Sequence, residues 1–356
     1  MTDFSLLAQL NNAHSPSGRE DEVRKVICKA LAPIADEVNF DGLGSVIARL
    51  NRHATGPKVA VVAHMDEVGF LIREIRPDGL LKVFKLGGID PAVAVNSELE
   101  IKTRSGRKYT GLVWSNKTSA ELTIDDLWVD VGASSPEEVL AMGVEIGDSA
   151  VFATRHFDLN NSGNLVAKAL DDRIGCWLGL ELMRSLADKT LPCDFYFVAT
   201  VQEEVGTKGG KTAIEQLRPD VVLVLDVATA KHLSSSSGSQ RIYGNGPCLV
   251  VADKIALGHY PLLNYVSDIA KEFSIPVQRD FLAGGGTDNG PATLVGGGIA
   301  GLAITLPVRN CHSAYTQVNQ NDAILCLRLL QHVITQLDET QKARLYPYDQ
   351  ADFLTQ

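Results

Sequence analysis

Four short apolar runs punctuate the chain: Lys58–Ala63 (KVAVVA), Phe195–Val201 (FYFVATV), Val221–Leu225 (VVLVL) and Ile299–Thr305 (IAGLAIT). Runs of this length predict central strands buried on both faces. Apolar residues at helical spacing predict helices over Arg173–Leu186, Leu262–Phe273 and Asp322–Leu337. A first helix is expected where Val23, Val26, Ile27, Ala30 and Leu31 recur behind Ser17 and Glu20, which fit a capping box. Strands alternating with helices indicate an α/β domain with a mostly parallel sheet.

The stretch from about Gly69 to His156 has a different rhythm. FLIREI, LLKVFKL, ELEIKT, KYTGLVW and SAVFAT are short strand-like segments separated by PDG, SGR and GD turn signals, with one helical turn at SPEEVLAMG. The expected organisation is an α/β domain of residues 1–68 and 157–356, with a small all-β domain, 69–156, inserted into it. The serine run 234–237 reads as a local loop without chemistry.

Length and composition support this division. A chain of 356 residues exceeds a typical single domain, and 45% hydrophobic content is enough to bury a core. With 33 basic and 43 acidic residues the formal net charge is −10, which disfavours a nucleic-acid partner needing a clustered basic surface. The six cysteines include no C-x-x-C pair, so neither a disulfide framework nor a thiolate zinc finger is expected. A basic leader with a long apolar core is missing, as is any charge-free run of about 18 apolar residues. The expectation is a cytoplasmic protein without a membrane partner.

Several strand ends carry residues suited to metal chemistry. His64 follows the first run in AHMDEVG, and Asp66 can reach back to the imidazole nitrogen that faces away from a metal. KALDDRIG places Asp171 and Asp172 at a helix start, where one carboxylate can bridge two metals and the other cap the helix; Arg173 would offset some of the negative charge. TVQEEVG sets Glu203 and Glu204 side by side after a strand, a repulsive pair unless cations lie nearby. One can ligate while its neighbour acts as base. Asp226 ends the third run and His312 follows the fourth in RNCHSAY. Each has a bland reading as surface turn, cap or packed histidine. Jointly they offer two histidines and three carboxylates for two divalent ions, with one glutamate to spare, a set suited to zinc, cobalt or manganese. No cysteine enters it, which argues against an iron–sulfur cluster or structural zinc.

AHMDEVG, KALDDRIG, TVQEEVG, LDVA, GGGTDNG and RNCHS, in that order, resemble the glutamyl-aminopeptidase family of dinuclear metallopeptidases, which includes the tetrahedral aminopeptidases. SPSGREDEVR and DGLGS resemble its opening motifs, so the likeness spans nearly the whole chain. It implies a three-layer α/β/α catalytic domain with an inserted β-barrel that mediates oligomerisation, commonly into dodecamers built from dimers. It also implies that His64, Asp171 and Asp226 hold one metal and Asp171, Glu204 and His312 the other. Glu203 would be the base, Asp66 would orient His64, and the Asp171–Asp172 peptide would be cis. The substrates would be peptides with a free N-terminus. Ser45, Asn310 and Thr316 replace the family's usual asparagine, tyrosine and glutamate at positions that are not ligands and bear on substrate preference.

Thr287 and Asp288 in GGGTDNG are candidates for lining the substrate site. GTKGGKT, Gly206–Thr212, does not meet the phosphate-loop pattern, having one residue too few between its glycines. A carboxylate-pair glycoside hydrolase using Glu203 and Asp171 would leave the histidines unemployed. A catalytically silent metal-binding assembly protein would have no use for Glu203.

Overall fold

The four apolar runs lie side by side as the parallel centre of one large sheet, in the order Asp194–Thr200, Lys58–His64, Val221–Thr229 and Ala300–Arg309. The computed structural model describes residues 3–50, 55–117, 121–230 and 241–348, so the serine run 234–237 lies outside the described residues. Antiparallel strands extend the sheet at both edges, and Cys248–Asp253 and Gln278–Leu282 branch from Ala300–Arg309, giving 11 strands among the described residues. Helices Ser5–Asn12, Asp21–Leu31, Leu170–Leu186, Tyr260–Glu272 and Gln320–Gln336 share the larger core on one face. Helices Lys208–Leu217 and Asn289–Thr293 cover the other face over a smaller core. This is the expected three-layer α/β/α arrangement.

Within the region that reads as all-β, six antiparallel strands close into a barrel: Gly69–Ile75, Leu81–Leu86, Trp128–Asp130, Lys108–Trp114, Glu98–Lys102 and Ser149–Phe152. Closure removes the free sheet edges that short strands would otherwise expose. The barrel has its own core around Phe70, Ile72, Leu99 and Phe152, and Ala314 of the α/β fold packs into it. The turn at SPEEVLAMG is helix Pro136–Met142, capped by Ser135 and ended by Gly143 in the left-handed region.

Two local expectations are overturned. The helix Asp21–Leu31 is not the first, since Ser5–Asn12 precedes it, and its cap makes no side-chain hydrogen bond. Ser17 and Glu20 are employed elsewhere. Ser17 Oγ donates to Asp66 Oδ2 at 2.6 Å, and Glu20 Oε1 accepts from the backbone N–H groups of Gly18 at 2.6 Å and Gln202 at 3.2 Å.

The sheet register positions the polar strand ends. Thr200 pairs with His64, so the QEEVG segment leaves the sheet beside that histidine. Pairing between the central strands stops at Val62 and Val224, two residues short of His64 and Asp226. The opening lies at the carboxyl ends of the parallel strands, where α/β sheets place their ligands.

Candidate metal centre

Asp171 is the geometric centre of the polar cluster. Its Oδ1 lies 3.0 Å from His64 Nε2, and its Oδ2 lies 3.0 Å from His312 Nε2. Glu204 Oε1 stands 3.3 Å from the same His312 nitrogen, and Asp226 closes the other side with His64 and Asp171. The Asp171–Asp172 peptide is cis. Asp172 caps the helix behind it, its Oδ1 accepting from Gly175 N at 3.1 Å, while its Oδ2 accepts from His64 N at 3.3 Å.

Both imidazoles are held by their far nitrogens. His312 Nδ1 donates to the carbonyl of Gly88 at 3.3 Å, and His64 Nδ1 to that of Asp66 at 3.2 Å, with Asp66 Oδ1 at 3.5 Å. A carbonyl can only accept, so each ring donates from Nδ1, and Nε2 is the nitrogen turned toward Asp171 and available to a metal. Gly88 belongs to the loop following a barrel strand, and a Cβ there would sit 3.0 Å from His312 Nδ1, so the barrel reaches the centre through a bare backbone. Sequence reasoning missed this contact because a carbonyl carries no residue signature.

Asp66 fixes the glutamates as well as the histidine. Its Oδ1 accepts from Glu203 N at 3.0 Å, and its Oδ2 from Glu204 N at 3.2 Å. The Glu203 side chain lines a cleft of about 690 Å³ together with Asp171, Glu204, Asp226, Cys311 and His312. Lys254, Ile255, Gly285 and Gly286 form part of the wall. Thr287 and Asp288 are buried, their hydroxyl and carboxylate engaged with Asp253 at 3.1 Å and Thr200 at 2.5 Å. Gly210 explains the glycine-rich GTKGGKT segment, since a Cβ there would lie 2.4 Å from Asp288 Oδ1.

The expected role of Arg173 is corrected. It is fully buried and donates to the carbonyls of Met65, at 2.6 Å, and Ser15, at 3.2 Å, and to Glu67 Oε1 at 3.3 Å. Lys168 completes that group at 2.7 Å from Glu67 Oε1. The departures Asn310 and Thr316 also find a place: Thr316 Oγ1 donates to the Asn310 carbonyl at 3.1 Å, closing the loop that carries His312. Neither lines the cleft. Ser45, the third departure, is buried with its hydroxyl unpartnered, and its backbone N–H donates to Asp41 at 2.8 Å.

The electrostatics are those of anions short of cations. Burial pushes Glu203 well above the usual carboxylate range, reinforced by Asp226, Asp288 and Glu204 and only partly opposed by His64. Burial and neighbouring carboxylates likewise raise Glu204 and Asp226. Burial would raise Asp171 too, but the two imidazoles outweigh it and hold that carboxylate low. Glu204 Oε1 is buried without a hydrogen-bond partner, a costly condition for an oxygen that a cation would relieve. The carboxylate and imidazole donors suit a divalent zinc, cobalt or manganese ion.

Comparison with known proteins gives the same direction. The FrvX protein of Escherichia coli K12 is 34% identical over 360 residues, covering 98% of this chain and 100% of its own. A glutamyl aminopeptidase of Lactococcus lactis is 31% identical, with 97% and 99% of the two chains covered. A lysyl aminopeptidase of Pyrococcus furiosus is 30% identical, with 95% and 98% covered. Among solved structures, a TET aminopeptidase from a marine-sediment thaumarchaeote superposes with TM-score 0.92 at 32% identity, covering 96% of this chain and 99% of its own. The TET1 peptidase of Pyrococcus horikoshii, described as assembling into a tetrahedron or a large octahedral shell, gives 0.84 at 27% identity over 94% and 99%. The M42 glutamyl aminopeptidase model matches residues 44–329, and the chain belongs to that family of aminopeptidases.

Proposed function

We propose that the chain is a two-metal aminopeptidase, with His64, Asp171 and Asp226 holding one ion and Asp171, Glu204 and His312 the other. The observation carrying this reading is Asp171, which offers one carboxylate oxygen to each histidine Nε2 at 3.0 Å. When bound, the ions supply Lewis acidity toward the scissile carbonyl and ease the deprotonation of water near neutral pH.

Glu203 is the general base. It lines the cleft beside the proposed ligands without being one of them, where a base must stand. The proton it accepts is returned to the leaving amine. Asp66 is a positioning residue, because it grips the Glu203 and Glu204 backbones and the far side of His64 together. Thr287 and Asp288 are the candidate substrate-site residues; they are held by hydrogen bonds with Asp253 and Thr200 and are not among the residues lining the cleft.

The substrates are peptides with a free N-terminus, as the names of the glutamyl and lysyl relatives support. Residues 1–68 and 157–356 act as the catalytic domain, and 69–156 as an inserted barrel that mediates homo-oligomerisation, a dodecamer built from dimers being the expected form. The shells described for the Pyrococcus horikoshii relative support assembly, as do Phe84, Leu112 and Ile146, exposed on or beside the barrel strands. Among the described residues no helix is long and apolar enough to cross a membrane, and the expected location is cytoplasmic.

The test is a panel of aminoacyl anilides presented to zinc- or cobalt-loaded protein. Cleavage of one or more members, abolished by a chelator and restored by metal, is the expected result. Failure to cleave any would sink the proposal, and a glycosidase would keep its activity through chelation.

A further inference from the structure

One donor in the centre is not used by the reading above. Cys311 Sγ donates to Asp171 Oδ2 at 2.9 Å, the same oxygen that faces His312 Nε2. The sulfur, that carboxylate oxygen and a ring nitrogen of His312 all lie within 4.8 Å of one another, close enough to share one ion. Glu204 Oε1, on a side chain only 5% exposed, stands 3.3 Å from His312 Nε2 and has no well-aligned hydrogen-bond donor. Asp171, Cys311 and His312 thus come together as one donor group, with Glu204 beside it at His312.

We propose that Cys311 is a fourth protein ligand of the ion held by Asp171, Glu204 and His312, giving that half of the centre a sulfur donor. The inference rests on the two-metal reading. Binding breaks the S–H bond: the sulfur keeps the electron pair and donates it to the metal, and the proton leaves to solvent. A thiolate among oxygen and nitrogen donors favours zinc or cobalt over manganese or magnesium, because soft donors select softer ions. The other half of the centre, His64, Asp171 and Asp226, has no sulfur and stays tolerant. The two metal sites therefore differ in selectivity within one subunit.

The neighbouring backbone allows the approach. His312 and Asn310 both adopt the left-handed region, with φ of 56° and 53°, which turns the loop so that consecutive side chains 311 and 312 face Asp171 together. The Thr316–Asn310 hydrogen bond closes the same loop.

X-ray absorption at the zinc edge of the full-length, zinc-loaded protein provides the test. One sulfur scatterer at about 2.3 Å, averaged over two ions per subunit, is expected. Cobalt-loaded protein should show a near-ultraviolet thiolate-to-cobalt charge-transfer band. Cys311→Ser should lose both signatures while still binding two ions, and its zinc-over-manganese preference at the second site should fall on the order of tenfold or more. Two bound ions surrounded by nitrogen and oxygen alone would overturn the cysteine ligand and leave the two-metal reading standing. Failure to bind two ions at all would overturn both. The spectra of wild-type protein decide the question even if the serine variant does not fold.

Discussion

Two buried polar clusters lie back to back in this molecule, built from neighbouring residues of the same motifs. AHMDE supplies His64 and Asp66 to the metal centre and Glu67 to the second cluster; KALDDR supplies Asp171 to the former and Lys168 and Arg173 to the latter. In the second cluster two cations enclose one carboxylate. Glu67 accepts from Lys168 at 2.7 and 2.8 Å, from Arg173 at 3.3 Å and from Ser15 N at 3.1 Å. The spare donors of Lys168 and Arg173 reach carbonyls of Ala13 and Met65. In the metal centre, carboxylates outnumber the imidazoles and Glu204 Oε1 has no hydrogen-bond partner. Burial and charge are common to both. What separates a structural ion cluster from a metal centre is whether the protein itself completes the valences.

The comparison is tested hardest by Glu203→Gln, which removes a base and leaves every proposed ligand in place. Turnover should fall by about 10² to 10⁴, the usual contribution of a general base, while metal content by elemental analysis is unchanged. Activity within a factor of two of the wild type would remove Glu203 from the chemistry. Glu67→Gln should be silent in the catalytic assay, when measured at a temperature where the variant is folded, but should cost about 3–5 kcal/mol of stability. It leaves two buried cations facing a neutral amide. Denaturant titration reads this directly, and a loss below about 1 kcal/mol would mean that the second cluster is not structural.

Metal removal comes next in size. An ion present at a hundredfold excess over its dissociation constant stabilises the folded state by about 2.7 kcal/mol, so chelation should lower the melting temperature. The contrast between the clusters predicts how these effects combine. The loss caused by Glu67→Gln should be nearly the same with and without metal. Glu204→Gln should destabilise the loaded protein, and should be neutral or stabilising after chelation, where it removes a buried, repelled carboxylate. Equal responses of the two variants to chelation would erase the distinction.

Much of this was legible because the central strands are apolar throughout. The reading Lys58–Ala63 falls one residue short of the observed Lys58–His64, and Phe195–Val201 is displaced by one from Asp194–Thr200. The third apolar run ends at Leu225, whereas the strand continues to Thr229. The acidic Asp226 interrupts the apolar pattern without interrupting the ladder. The misread capping box has a related origin: Ser17 and Glu20 have the residue types of a cap, but their side chains serve Asp66 and the Gln202 backbone. Contacts made by backbone atoms, such as Gly88 to His312, leave no trace in residue identity. Nor did Cys311 stand out, since its place beside Asp171 depends on a loop conformation that an ordinary cysteine does not announce.

The smallest effect concerns a third polar group, at the junction of barrel and catalytic fold, which differs from both buried clusters by being open to water. Glu22, on helix Asp21–Leu31, accepts from His14 N at 2.9 Å and pairs with Lys102 at 2.7 Å and Lys108 at 3.2 Å on two barrel strands. Burial alone would raise its carboxyl, but the two lysines and the backbone N–H outweigh it and draw the pKa from an ordinary 4.5 to about 2. Because the folded value is the lower one, the stabilisation is complete above about 4.5 and is lost as pH falls from there toward 2. Solvent screens these lysines, so Glu22→Gln should cost no more than about 1 kcal/mol at neutral pH and low salt. The difference from wild type should shrink in high salt and vanish on acidification through that window, where the protonated glutamate comes to resemble glutamine. Denaturation midpoints of the two proteins across a pH series check this. A gap that persists at pH near 2, or that ignores salt, would mean that Glu22 acts by packing and would place the junction with the buried clusters instead of apart from them.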